Sequence, residues 1–577
     1  MRRTARGSRA AVGAAALAAL AACSPARPAS VPAAQGRDLP IERQGEARRL
    51  GNSWLAPVVP VGVTHGIHVG RFAGAPYDLG LAFGRLGRPF IREQETHLDA
   101  LFRALVPGSF KRTFIRQASA FRLRALPEEI PADLLLEIAG LADGYEPVPP
   151  ASGWNAWRRM LDLHALHDLS QRYVDAPALA AACTGFLAKT PQGVFLARNF
   201  DFEGGDVFDR LKLVSVMVPE GRIPYLSVGF PGMLGVVSGF NREGIGVALQ
   251  AIAGGETAGS GTPMTLVLAD VLGNEGTFDG AVERLRRARV FVSDLVLLGD
   301  AKTGRIAVVE KSPSAFAVRE SSGAFLGATN EAEDSAVKEH GRALPKGSTS
   351  AKRRARLDAL LAERGASLDV ASAVVILRDR RGASGEDLGP GNRNAIDASI
   401  AAHSVVLDLT RGRAWVAAFP HTLGPYVPVD LAAVAAAPNG PPAFDSPVPA
   451  DPWLSGGFDR YRRARGALAE ARELERARGE GWLERAANAA SRAHELSPAF
   501  AEATAKLGEL ELRRGNRERA LSLLDEALAH DPGPAPLRTA VQRWRDAAAR
   551  SGAPPEDGIP TIPSPDELIA ERERGRK

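Results

Sequence analysis

The chain has 577 residues, 45% hydrophobic and 24% charged, which is too long for one compact core and points to two or more globular domains. Its net charge of +5 includes Arg2, Arg3, Arg6 and Arg9 at the N-terminus. Setting those four aside leaves +1, so the electrostatic motive for binding nucleic acid is gone.

Residues 1–23 combine that arginine-rich start with an Ala-rich apolar run from Ala11 and end on Leu20-Ala21-Ala22-Cys23. The run is too short to anchor stably across a bilayer core of ~30 Å and reads as an export signal. Leu-Ala-Ala-Cys resembles a bacterial lipobox, where cleavage leaves Cys23 as a lipid-modified N-terminus; the alternative is a plain signal peptide that happens to hold a cysteine. Ser24 at the next position resembles lipoproteins sorted to an outer membrane. The expectation is therefore a protein exported in a bacterium and held by Cys23 on the periplasmic side of the outer membrane. Residues 24–50, rich in Ala, Pro and Arg, read as a flexible tether.

Residues 51–182 read as mainly helical. Leu79, Leu81, Phe83 and Leu86 recur at helical spacing within Tyr77 to Val106, a second helix starts at Pro131-Ala132-Asp133, and a third spans Trp154 to Tyr173. The third carries His164 and His167 at i,i+3. With no cysteine or third histidine nearby in sequence, a structural or surface role is expected for both, and no metal.

Beyond residue 183 the signal turns to strands: Val194–Phe202, Leu211–Val218, Tyr225–Phe230 and a hairpin around Asn241–Gly244. Helices are expected at Thr262–Leu272 and Phe278–Ala288, then strands at Asp294–Leu298, Ile306–Glu310, Phe316–Arg319 and Phe325–Leu326. Helices at Lys352–Arg364 and Leu368–Leu377 and strands at Val405–Leu407 and Arg413–Phe419 complete a body spanning 183–430. Hairpins separated by helix pairs imply stacked antiparallel sheets covered by helices, an α+β fold. Residues 431–457 read as an Ala/Pro-rich linker. Across 458–550, Ala486, Ala490, Ala493 and Pro498 recur 34 residues later as Ala520, Leu524, Ala527 and Pro532, which resembles the tetratricopeptide pattern; a plain helical hairpin with Ala-rich faces is the alternative. Residues 551–577 read as a mobile tail.

The chemistry gathers at Cys183. With Cys23 assigned to the signal, it is the one remaining thiol and cannot form an intrachain disulfide. Pro177 to Ala182, ahead of it, is small and flexible enough to be cut. Behind it a strand returns Arg198 and Asp201. A thiol, a turn and a strand bringing back an arginine and an aspartate form a catalytic layout; a buried cysteine acting as a small hydrophobe is the alternative.

Cys183-Thr184 followed by Arg198-Asn199-Phe200-Asp201 resembles the N-terminal-nucleophile hydrolases of the penicillin acyltransferase and choloylglycine hydrolase group. The likeness extends over about residues 60 to 430 through the Gly239-Phe240-Asn241 to Gly244 hairpin and Thr329-Asn330. The resemblance implies a four-layer αββα sandwich with a C-terminal helical tetratricopeptide-like segment, a pro-segment that stays bound, and autoproteolysis between Ala182 and Cys183. The freed α-amine, with a reference pKa of about 7.7–8.0, would act as base. Asp201 would hold that amine, Arg198 would steady the thiolate, Asn330 would donate to the oxyanion, and Gln250 stands at a position offering a second donor. Where the family usually continues with His after the Asn, this chain has Glu331. The family's late arginine has no clear counterpart; Arg393 is a candidate only by position. His403 and His421 are the nearest residues for a conventional dyad and rank below the amine.

The reading is of a self-processing acyltransferase or amidohydrolase acting on a linear C–N amide, needing no cofactor. Its partners are a small-molecule amide, its own pro-segment, a membrane through the lipid, and a protein docking on the C-terminal helices, but no nucleic acid. A lipid esterase of phospholipase-B type, or a non-catalytic lipoprotein scaffold using the helical repeat, are the alternatives. The Gly254–Gly261 stretch lacks the Lys-Ser/Thr of a phosphate loop.

Overall fold

The computed structural model describes residues 27, 40–146, 154–173, 182–342, 348–364, 367–550 and 553–574. The proposed signal, Cys23 and most of the proposed tether lie outside them. Seventeen strands form two sheets among the described residues. The larger runs β1 (Glu42–Gln44), β2 (Ala47–Leu50), β3 (Ser53–Val58), β4 (Ile67–Gly74), β7 (Leu213–Pro219), β8 (Tyr225–Gly229), β9 (Ser238–Asn241), β10 (Ile245–Ala251), β11 (Asp294–Asp300), β12 (Ile306–Lys311) and β13 (Phe316–Glu320). Its strands are antiparallel except at β4 and β7, which run parallel. The smaller runs β14 (Phe325–Ala328), β5 (Thr184–Thr190), β6 (Gly193–Asp201), β15 (Ala401–Asp408), β16 (Arg413–Ala417) and β17 (Tyr426–Asp430), all antiparallel.

Side-chain alternation explains why both sheets are buried on two faces. Along β5, β6 and β15, Leu187, Leu196, Val405 and Leu407 point to one side, where they meet Val214, Val216, Leu226, Leu295 and Leu297 of the larger sheet. Phe186, Phe195, Ala197 and Val406 point to the other, against Leu357, Leu360 and Leu361 of the Thr349–Arg364 helix and Val374 and Leu377 of the Val370–Leu377 helix. The far face of the larger sheet, with Val247, Leu249, Val296 and Leu298, is covered by the helices Pro76–Leu105, Ala132–Tyr145 and Met264–Asn274. The β9–β10 hairpin turns where the sequence indicates: Asn241 Oδ1 accepts from the amides of Glu243 (3.1 Å) and Ile245 (3.0 Å), and Gly244 takes φ +87°.

Four sequence readings need correction. Residues 42–50 are not tether: they form β1 and β2, because Leu50 is apolar and packs under the sheet edge. The segment before Cys183 is not purely helical either, since β3 and β4 open it, and β4 joins the main body through seven residue pairs with β7. Its helices cross very closely. A Cβ on Gly80 would lie 1.9 Å from the Glu137 carbonyl oxygen, and one on Gly140 would lie 2.0 Å from that of Tyr77, so glycine alone permits this backbone approach.

The 431–457 stretch begins with structure rather than linker. Leu431–Ala435 is a helix whose Leu431 and Val434 are buried between the sheets, which its Ala-rich composition concealed. Downstream come helices Gly457–Ala477, Trp482–Leu496, Ala501–Arg513, Arg517–Ala529 and Ala535–Ala549, each packed on its neighbour in sequence. They dock on the body through the 387–394 loop, where Asn392 Nδ2 donates to His530 O (2.9 Å), and through the Thr349–Arg364 helix, whose Lys352 pairs with Asp531 (2.5 Å). The expected mobile tail is tied down. Ile559 is buried, and the helix Pro565–Arg574 returns Glu567 and Glu571 to Arg465, Arg472 and Arg476 of the Gly457–Ala477 helix at 2.8–2.9 Å. Charge read from sequence suggested solvent; here both signs are met across two helices.

Candidate active site

Cys183 stands immediately before β5, and the hairpin register decides what it meets. Thr184 pairs with Asn199 and Gly185 with Arg198, so β6 ends with Asp201 beside the cysteine. The Ala182 amide donates to the Asp201 carbonyl at 3.1 Å, which fixes the two sides of the Ala182–Cys183 bond against the strand end. Gly185 is required: a Cβ there would lie 2.8 Å from the Gln250 side chain and 3.0 Å from Arg198 Cβ.

Arg198 Nη2 donates to Cys183 Sγ at 2.9 Å, and its Nη1 donates to Val237 O (2.8 Å) and Ser238 Oγ (3.3 Å). The guanidinium lies over the Phe200 ring at 4.7 Å. Both the thiol and the guanidinium are fully buried. Burial pushes the Cys183 thiol up, while Arg198 and Arg353 pull it back; burial likewise lowers Arg198. Asp201 is 1% exposed, and neither of its carboxylate oxygens has a hydrogen-bond partner. Burial drives its carboxyl up to about 7 despite the fields of Arg353, Arg393 and Arg198.

Asn330 sits just past β14, its backbone amide donating to Ser350 Oγ at 3.0 Å. One side-chain amide hydrogen goes to Ala251 O (3.0 Å), leaving the other uncommitted, and Oδ1 accepts from Arg353 Nη2 (3.0 Å). Gln250 differs from expectation. With its amide oriented to satisfy both ends, it donates to Thr329 O (2.9 Å) and accepts from the Gly185 amide (3.0 Å). It is a brace between β5 and the Thr329-Asn330 turn, with its amide nitrogen committed to Thr329 O rather than facing a reacting oxygen.

Arg353 was missed from sequence. Its Nη1 donates to Cys183 O (2.5 Å) and Thr184 Oγ1 (2.7 Å) while Nη2 holds Asn330, so one buried guanidinium ties nucleophile to amide donor. The signal was available: Arg353 lies one helical turn before Leu357 and two before Leu360, an arginine on the apolar face of its helix. Arg393, the candidate by position for a late arginine, pairs with Glu203. The histidines are occupied elsewhere. His403 Nε2 bonds Ser238 Oγ (2.9 Å), and burial drops its pKa far below the usual value. His421 Nδ1 bonds Ala401 O (3.0 Å). His164 is structural, bonding Met160 O through Nδ1 (2.7 Å) and accepting from the Leu234 amide at Nε2 (2.9 Å). Beyond Asp201 a cavity of about 240 Å³ opens between the body, at Phe202, Glu203 and Arg393, and the C-terminal helices, at Tyr461 and Glu567.

Residues 188–415 match the family described as acyl-coenzyme A:6-aminopenicillanic acid acyl-transferase. An uncharacterized protein of Archaeoglobus fulgidus is 26% identical over 282 residues, 44% of this chain and 45% of its own length, so the chain spans about half of that curated relative. Among solved structures, a Caenorhabditis elegans ortholog of N-acylethanolamine-hydrolyzing acid amidase is 19% identical, with 40% of this chain and 93% of that one covered at a TM-score of 0.31. A conjugated bile acid hydrolase from Clostridium perfringens is 15% identical, with 46% and 96% covered at a TM-score of 0.30. Over residues 188–415 this chain is thus similar to an acyl-transferring enzyme family.

Proposed function

We propose that this protein is a self-processing amidohydrolase or acyltransferase of the N-terminal-nucleophile type, with Cys183 as nucleophile and a four-layer αββα body built from the three cores above. One observation carries the reading. Asp201 is a buried carboxylate with both oxygens unpartnered, at the strand end where its backbone carbonyl accepts from the Ala182 amide, a poor arrangement for an uncut chain and a good one for a chain ending in Cys183-NH3+. In self-processing, Sγ attacks the Ala182 carbonyl carbon, the Cys183 nitrogen leaves as the free α-amine with the thiol's proton, and water hydrolyses the resulting thioester to a new Ala182 carboxylate and the Cys183 thiol. In turnover, that amine takes the thiol proton as sulfur attacks the substrate amide. Asn330 donates its free amide hydrogen to the oxyanion, and the amine returns the proton to the leaving nitrogen. Water or an acceptor amine then releases the acyl group.

The same reading makes residues 1–23 an export signal, Cys23 a lipid anchor, and the helices from Gly457 to Ala549 a tetratricopeptide-like surface for a protein partner. The test is denaturing electrophoresis with mass analysis of the full-length protein. Wild type gives two chains, the second beginning at Cys183, and Cys183→Ala gives one. Active wild-type material with that peptide bond intact overturns the proposal.

A further inference from the structure

The helix Leu166–Tyr173, which precedes Cys183, brings His167 and Asp168 against Asp294 at the start of β11. One ligand atom from each of the three residues lies within 4.8 Å of the other two, and His167 Nδ1 is 3.9 Å from Asp168 Oδ2. All three are buried, and both aspartates are 0% exposed. Asp168 Oδ1 accepts from the Met264 amide (3.2 Å) and Asp294 Oδ1 from Gln171 Nε2 (2.9 Å), but the Oδ2 atom of each has no hydrogen-bond partner. Among the described residues no arginine or lysine pairs with either carboxylate; burial raises both carboxyls, and the charge of Asp168 raises Asp294 further. Two buried carboxyls that meet beside an imidazole, each with one oxygen unpartnered, are neutralised either by a proton or by a cation, and the described side chains supply no cation.

We propose that His167, Asp168 and Asp294 bind one divalent transition-metal cation of the Zn2+ or Mn2+ kind. Mixed imidazole and carboxylate donors suit such ions. Tetrahedral or cis ligands held about 2.0–2.2 Å from a metal lie roughly 2.8–3.6 Å apart, so donors now within 4.8 Å of one another close by up to about 2 Å, with water completing the shell. The site joins the segment before Cys183 to the body after it. Asp294 pairs with Ala251, whose carbonyl holds Asn330, so the ion braces the amide donor from behind. The sequence hides the site because its third ligand comes from 126 residues downstream of Asp168.

The experiment uses the full-length protein, independent of whether it is cut. Metal analysis after purification, then thermal unfolding after chelation and after reloading with Zn2+ or with Mn2+, should give about one ion per chain. Reloading should raise the melting temperature by about 3 °C or more. Asp168→Asn and Asp294→Asn should each abolish retention and the metal-dependent rise, while their metal-free forms melt no lower than the chelated wild type. A wild type that holds no ion and melts at one temperature with chelator, Zn2+ or Mn2+ refutes the site, leaving the two carboxyls to share a proton. Unchanged metal retention in the Asp294→Asn variant also refutes it.

Discussion

If Asp201 awaits the α-ammonium of Cys183, its substitution should act with opposite sign before and after cutting. In the uncut chain its carboxyl is raised from 3.8 to about 7, chiefly by burial. A folded pKa above the unfolded one means that the folded state holds the proton more tightly. The penalty is absent below pH 4, grows between pH 4 and 7 as the unfolded chain ionises first, and is complete above 7. Three units correspond to about 4 kcal/mol, and a new buried amide returns about 1–3 kcal/mol of that. In the uncuttable Cys183→Ala background, Asp201→Asn should therefore stabilise by about 1–3 kcal/mol at pH 8, an effect about 4 kcal/mol more favourable than at pH 4. Urea unfolding midpoints of the single and double variants across pH 4–8 measure this, the difference cancelling other buried carboxylates. In cut wild type the ammonium lies beside the carboxylate, and the same substitution should destabilise. A gap between the two uncut variants that does not change with pH would mean that Asp201 is already paired, and the argument for a chain-end amine would fail.

Arg353→Met should leave the Cys183 carbonyl, Thr184 Oγ1 and Asn330 Oδ1 without their donor; cutting and amide turnover should fall about 100-fold or more, read by a time course of chain cleavage, with Arg353→Lys recovering only part. Glu571→Ala should strip the tail helix of its bridges to Arg472 and Arg476, costing about 3 kcal/mol there and exposing residues 553–574 to limited proteolysis. Gly140→Ala should force the Pro76–Leu105 and Ala132–Tyr145 helices apart at a cost of about 1–3 kcal/mol, visible as a lowered melting temperature.

Local pattern made the fold legible wherever strands alternate over a whole hairpin. Gly193–Asp201, Leu213–Pro219 and Asp294–Asp300 each fall within a few residues of the stretch their sequence indicates, because one-residue alternation is forced when two faces are buried against different neighbours. It failed where composition stood in for pattern. The Ala-rich run at 431–435 hides two buried apolar side chains, and the charged tail hides ion pairs to a helix about 100 residues earlier. The Gly80, Gly84, Gly140 and Gly144 spacing announces close helix crossing, but only once two helices are known to meet.

The site divides along the same line. Cys183, Arg198 and Asp201 are joined by one hairpin, so register alone brings them together. Asn330 arrives because β14 is the next neighbour of β5, still a strand-pairing consequence. Arg353 and Asp294 come from elements whose placement depends on tertiary packing, and no local period predicts what a buried charged side chain will face. What could have been read is the anomaly itself. Arg353 on an apolar helix face and Asp294 opening an apolar strand are buried charges, and each needs a partner of opposite sign or a hydrogen bond. Arg353 meets the Cys183 carbonyl and Asn330, while Asp294 has one hydrogen bond, from Gln171, and faces another carboxylate with its second oxygen unpartnered among the described residues. That asymmetry is why the cluster at Asp294 points to an ion, whereas the one at Arg353 closes on itself.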